Sequence, residues 1–255
     1  MKKTVLTIIS LAILGFAFSQ SDNDQVNNEG SVVYEAVQKL DIHLDNMSPE
    51  IQAMLPKENR SSKRLYFNQY ASRYQNIKET EESSMDHESG GGMVRIMVSH
   101  ADDIVYRDLK DNEIIEQKEF MSRVFLIESD APEVQWKFTG NQKMILNYPC
   151  QEATMEGEEG LVKVWFTPAI PISSGPGEYG NLPGLILYVE TNEGDNTIIA
   201  KSIELGEVDA KYLEKPKKGK KVSREKYLAI VDEKNKEMGH DHGGNTKTVT
   251  MTIQR

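Results

Sequence analysis

Apolar and polar residues alternate with a period of two along most of the chain, in short runs broken by turn-forming residues, and that pattern predicts strands. In SVVYEAVQKLDIHL the positions Val32, Tyr34, Ala36, Gln38 and Leu40 form the more apolar parity, the predicted core face of a first strand. KRLYFNQYASRYQNI continues with aromatic, β-rich sequence, and KETEESSMDHESGGG then reads as a polar, flexible loop. From Met93 to Val208 the runs MVRIMVSH, DIVYRDL, EIIEQKEFMSRVFLIES, QWKFTG, KMILNYPCQEATM, LVKVWFTP, LILYVETN and TIIAKSIEL predict strands, with KDNE, TGNQ, EGEEG and NEGDN as turns between them. Strands this closely spaced leave no room for crossover helices, so the expected arrangement is an antiparallel meander and not a parallel sheet. TKTVTMTIQR alternates Val249, Met251 and Ile253 with threonines and predicts a last strand at the sheet edge.

Two segments change period. In DNMSPEIQAMLP, Ser48 is an N-cap, Pro49 sits at the first helical position, and Ile51, Met54 and Leu55 follow at helical spacing until Pro56 stops the helix. Ser223 caps a second helix that carries Tyr227, Ile230 and Val231 on one stripe and is expected to end at Gly239. The predicted fold class is mainly β (α+β): a curved antiparallel meander sheet or half-barrel with these two helices against its concave side.

Composition narrows the function classes. MKKTVLTIISLAILGFAFSQ has a basic start, an apolar run and small residues at Ala17 and Ser19, the pattern of a secretory signal over residues 1–19. The run is too short for a comfortable membrane span, so the expectation is an exported protein, periplasmic or extracellular, with no transmembrane segment. Residues 20–30 read as a disordered leader and 31–255 as one β-rich domain. Losing Lys2 and Lys3 moves the formal net charge from −10 to −12, which excludes nucleic acid as a natural partner. Cys150 is the single cysteine, so no internal disulfide supports the fold, and a buried inert thiol is expected.

The segment WFTPAIPISSGPGEYGNLPGLIL, Trp165 to Leu187, breaks the strand pattern. Proline gives no N–H to a ladder, so Pro168 ends one strand and the next starts only after Pro183. The connector exceeds the ~12–15 residues beyond which an irregular loop in a compact domain is usually functional or mobile. Pro168, Pro171, Pro176 and Pro183 stiffen it, while Gly175, Gly177 and Gly180 permit left-handed or close-approach geometry. It lacks the Gly-Lys-Ser/Thr of a phosphate loop. A structural clasp between strands and a binding surface formed by Trp165, Pro168, Pro171, Gly175, Pro176, Leu182, Pro183 and Gly184 both remain open.

The segment resembles the signature of the GLPGLI family, through Leu182, Pro183, Gly184, Leu185 and Ile186, with NYPCQEA around Cys150 and FLIESDAPEVQWKFTG around Trp136 in support. Asn181 stands where the signature has its first glycine, and asparagine also tolerates positive φ. The resemblance implies an exported bacterial protein and brings no reaction with it.

Three further groups carry possible chemistry. MGHDHGG and MDHESGGGM place Met238, His240, His242 and His87 in glycine-flanked loops, a thioether and imidazole set suited to copper or zinc, although neither loop offers four ligands. No nucleophile and base at recognisable spacing mark a hydrolase, and no catalytic residue is assigned. KPKKGKKVSREK, with seven positive charges, reads as a solvated linker or a docking patch for anionic lipid or an acidic partner. The leading expectation is a non-enzymatic envelope module that binds an apolar small molecule or an envelope protein, by analogy with LolA-like half-barrel carriers. Metal binding through the Met/His loops and an unrecognised hydrolase are the alternatives.

Overall fold

The computed structural model describes residues 28–40, 56–77, 84–89, 92–99, 103–157, 160–240 and 248–252. The expected signal sequence, the helix expected at Ser48–Leu55, His43, His100 and His242 lie outside the described residues. Among those residues the strands are β1 (Gly30–Lys39), β2 (Glu58–Phe67), β3 (Ala71–Asn76), β4 (Ser84–Ser89), β5 (Gly92–Ser99), β6 (Ile104–Asp108), β7 (Glu113–Phe120) and β8 (Arg123–Asp130). They continue as β9 (Lys137–Ile145), β10 (Tyr148–Gly157), β11 (Gly160–Thr167), β12 (Leu185–Thr191), β13 (Asn196–Leu205), β14 (Lys220–Val222) and β15 (Thr248–Thr252), with the helix α1 (Arg224–His240) before the last.

Twelve strands form one open sheet in the order β14-β8-β7-β6-β3-β2-β1-β13-β12-β11-β10-β9. The mainly β class and the antiparallel hairpins therefore hold, but the sheet is not one continuous meander. It consists of two antiparallel wings, and β1 lies in the middle, paired with β2 on one side and β13 on the other. β14, which the pattern does not mark, pairs in parallel with β8 in this otherwise antiparallel sheet. One expectation fails: β15 pairs in parallel with β5 in a separate β15-β5-β4 sheet, so the last strand does not close the main sheet.

Several boundaries also move. MDHESGGG was expected as loop, yet Ser84–Ser89 pairs with β5 as a strand. EIIEQKEFMSRVFLIES and KMILNYPCQEATM are each a hairpin, turning at Met121–Ser122 and Leu146–Asn147, four residues with positive φ. Neither turn contains the glycine that usually announces such backbone. TGNQ, expected as a turn, lies inside β9, where the register against β10 slips opposite Glu152. Gly140 supplies the positive φ of this bulge, and the Glu152 carboxylate accepts from Thr139 Oγ1 and Asn141 Nδ2, both at 2.6 Å. The helix begins as read, with the Lys226 amide donating to Ser223 Oγ at 3.3 Å and Tyr227 packed on Phe120, Phe125 and Ile127, but it runs past Gly239 to His240.

The register of the longer wing sorts its inward side chains into rows. One row runs Val32, Leu65, Tyr74, Val105, Glu116 and Ile127; the next, toward the far ends of β1 and β2, contains Tyr34, Lys63 and Asn76. Val32, Tyr34, Leu65 and Phe67 are fully buried against Ile170, Ile172, Leu185 and Leu187. At about 25 cal/mol per Å², burial on this scale is what holds a disulfide-free fold together. Cys150 belongs to the same cluster, and burial pushes its thiol up to about 11, as expected of an inert cysteine.

The sheet curls strongly. Glu116 on β7 and Met155 on β10 line one cavity although eight strand spacings separate them, roughly 38 Å in a flat sheet at ~4.8 Å per strand. The two wings therefore bend toward each other, and the sheet stays open between its edges β14 and β9.

Candidate functional site

The segment from Pro168 to Gly184 folds back over the inner face of the sheet. Ile170 and Ile172 point into the core, and the amides of Leu185 and Ile186 donate to the carbonyls of Ile170 and Ser174, both at 3.0 Å. Ser174 also bridges to Gly180, and its hydroxyl lies 2.6 Å from Ser72 Oγ on β3. Tyr34 donates across from β1 to the Ile186 carbonyl at 2.7 Å. The segment is thus a clasp joining both wings.

Arg107 anchors its tip. This side chain is only 3% exposed, and it donates to Asn181 Oδ1 and to the Glu178 carbonyl, each at 2.8 Å. Asn181 has φ 63°, so it does provide the left-handed backbone of the glycine it replaces, and its side-chain amide donates to the Pro132 carbonyl at 2.9 Å. Trp136 donates to the Gly180 carbonyl at 2.9 Å. A Cβ on Gly180 would lie 2.6 Å from the Arg107 guanidinium, which explains the glycine there.

The candidate residues of this segment divide by face. Gly175, Pro176, Leu182 and Gly184 are buried, whereas Pro168, Pro171 and Pro183 are exposed on the outside. Trp165 is nearly buried, and its ring is covered by Lys143, whose ammonium lies 4.1 Å from the ring centre and 4.5 Å from that of Tyr188.

Beyond the clasp tip the two wings enclose a cavity of about 580 Å³. One wall is apolar, with Met155, Val162, Val189 and Ile198. The opposite wall is polar and comes from the rows described above: Asn59, Ser61 and Lys63 on β2, Tyr74 and Asn76 on β3, with Asp103 and Lys118 beyond them. The rim carries Gly177, Glu178 and Tyr179 of the clasp and Arg224 and Leu228 of α1.

The charges in the cavity are unevenly matched. Glu116 is 1% exposed and is held by Lys118 at 2.9 Å and by Arg224, which also reaches Glu178 at 3.1 Å. Asp103 accepts from the Glu119 amide at 3.0 Å; burial nevertheless keeps its carboxyl above the usual range. Burial pushes the Lys63 ammonium below its usual value, with Asp103 acting against the shift and Lys118 adding to it. Among the described residues Lys63 has no ion pair, and its nearest aromatic contact is the Tyr74 ring, 5.6 Å away. The Tyr74 hydroxyl is buried without a hydrogen-bond partner among those residues, and desolvation keeps it protonated.

Two sequence-derived groups come out differently. KPKKGKKVSREK is not a free linker: Lys215 pairs with Asp108 and Glu113, Lys221 with Glu128, and Arg224 with Glu116 and Glu178. Of the proposed metal ligands, His87 sits on strand β4, and Met238 and His240 sit in the last turn of α1 instead of a glycine-flanked loop. Among the described residues no group of three or more His, Cys, Asp or Glu is arranged to hold a metal ion. No described helix is long and apolar enough to cross a membrane.

Residues 155–188 match a family described as a protein of unknown function, Porph_ging. The match covers β11, the clasp and the start of β12. Two structures of PNGF-II, in the P21 and C2 space groups, are similar to this chain with a TM-score of 0.53 and sequence identities of 14% and 15%. The similarity covers 80% of this chain but 33% and 32% of PNGF-II, so the chain spans about a third of that protein's length. At this identity the likeness concerns the fold alone. No curated protein matches the chain.

Proposed function

We propose that the chain is an exported, non-enzymatic binding module of the bacterial envelope, one of the GLPGLI proteins, and that it holds an apolar small molecule between its two wings. The observation that carries the reading is the cavity of about 580 Å³, inside the ~300–1,000 Å³ range of small-molecule sites, with Met155, Val162, Val189 and Ile198 on one wall and polar groups opposite. The analogy with LolA-like carriers belongs to the same proposal: a bent sheet covers the ligand and a helix stands at the rim. The clasp acts first as scaffold, and only its tip, Gly177 to Tyr179, meets the ligand. Charge pairing supports a binding role over a catalytic one, since Glu116 is committed to Lys118 and Arg224.

A displacement assay with the fluorescent apolar probe N-phenyl-1-naphthylamine tests this. Ala36 faces Ser61 and Ile198 across the sheet and lines the cavity, so Ala36→Trp fills it. The wild type is expected to bind the probe, and Ala36→Trp to weaken binding about tenfold or more while keeping the same melting temperature. Absence of binding by the wild type, or equal binding by both proteins, contradicts the reading.

A further inference from the structure

The polar wall of the cavity specifies a ligand class, an inference that rests on the binding reading above. We propose that the ligand is an amphiphile with a single negative charge, a carboxylate-headed chain whose head is received by Lys63 and Tyr74 and whose apolar body lies along Val162, Val189 and Ile198.

Buried polar groups are normally paired, and an unpaired buried donor costs more than a hydrogen bond contributes. On this wall two donors face the cavity, a half-buried ammonium on Lys63 and a buried hydroxyl on Tyr74. The Lys63 ammonium has no carboxylate within ion-pair distance among the described residues, and the Tyr74 hydroxyl has no acceptor. They sit on neighbouring strands in adjacent rows, with the ammonium 5.6 Å from the tyrosine ring. The two carboxylates nearby are already engaged: Glu116 by Lys118 and Arg224, and Asp103 by the Glu119 amide. A ligand therefore completes the site by supplying acceptor oxygens, and a charged acceptor gives the stronger bond to an ammonium.

The surrounding charges limit the head to one negative charge. Asp103, Glu116 and Glu178 all border the cavity, and a doubly charged head such as a phosphate monoester would meet their repulsion with only one uncommitted cation to offset it. A cationic head is excluded by the same lysine. The opposite wall, from Met155 to Ile198, carries no charged side chain to receive a second charged group.

Ligands that differ only in the head group test the proposal in the same probe-displacement assay: dodecanoate, dodecanol, dodecyl phosphate and dodecyltrimethylammonium, at pH 7. Wild type is expected to bind dodecanoate at least about tenfold more tightly than the other three. Lys63→Met is expected to abolish that preference while still binding dodecanol, and Lys63→Arg to restore it, which separates a lost charge from a misfolded variant. Equal affinity for dodecanoate and dodecanol in the wild type, tighter binding of the phosphate, or unchanged dodecanoate binding in Lys63→Met overturns the head-group assignment and leaves the cavity reading standing. Failure of all four ligands to displace the probe overturns both.

Discussion

Gly184→Ala is expected to lower stability by about 3 kcal/mol, at the upper end of what forcing atoms into a packed site costs. A Cβ at this position would lie 2.2 Å from the Thr167 carbonyl oxygen and 2.9 Å from the Pro168 nitrogen. Both are backbone atoms at the start of the clasp, which Gly184 meets from its other end, and neither can rotate away as a side chain could. For a protein of this size the loss corresponds to a drop of roughly 6–12 °C in Tm, read by calorimetry. Gly177→Ala is the control: its φ is 62° and nothing lies within 4 Å of the added atom, so only the ~1–2 kcal/mol cost of left-handed backbone is expected. Equal losses at the two glycines would show that the close approach at Gly184 is not what matters.

Arg107→Met is expected to cost about 3 kcal/mol, because it strands the Glu178 carbonyl and Asn181 Oδ1 after removing two charge-assisted hydrogen bonds. Arg107→Lys is not expected to rescue it, since one ammonium cannot span two acceptors set for a planar fork. The damage should be local. Hydrogen exchange should quicken at Tyr179, whose amide donates to Pro176, while the β1–β13 ladder keeps its protection. Uniform loss of protection would mean that Arg107 supports the whole sheet and not the clasp tip.

How far the fold was legible follows from the range of the forces involved. Period-two alternation and short spacing reveal strands and their antiparallel hairpins, and Ser223 with its stripe of Tyr227, Ile230 and Val231 reveals the helix, because these are local signals. The placement of β1 between β2 and β13 is not local: it depends on pairing Val32 with Ile203, far apart in sequence. The parallel contact of β14 with β8 was hidden for the same reason, and the lysines around it read as a linker because their carboxylate partners come from β6, β7 and β8.

The site was legible in part. Asn181 could be read as a left-handed residue from its chemistry alone, but its dependence on Arg107 could not. The polar wall escaped notice because β2 is polar on both parities: Arg60, Ser62 and Arg64 alternate with Asn59, Ser61 and Lys63, so nothing in the pattern marks the second set as inward. The available signal was that Lys63 shares its parity with Leu65 and Phe67, both fully buried. A lysine in phase with core residues is a candidate for a site when a cavity lies beyond them.

The central claim is that the proline- and glycine-rich clasp is scaffold and that the ligand sits in the cavity behind its tip. A titration of ¹⁵N-labelled protein with dodecanoate tests it most directly. The account predicts amide shifts concentrated at Ala36, Ser61, Lys63, Tyr74 and Ile198, with Glu178 and Tyr179 following and Ala169 and Ser173 on the rest of the clasp unmoved. Shifts concentrated at Ala169 and Ser173, with the β2 and β3 amides silent, would contradict it.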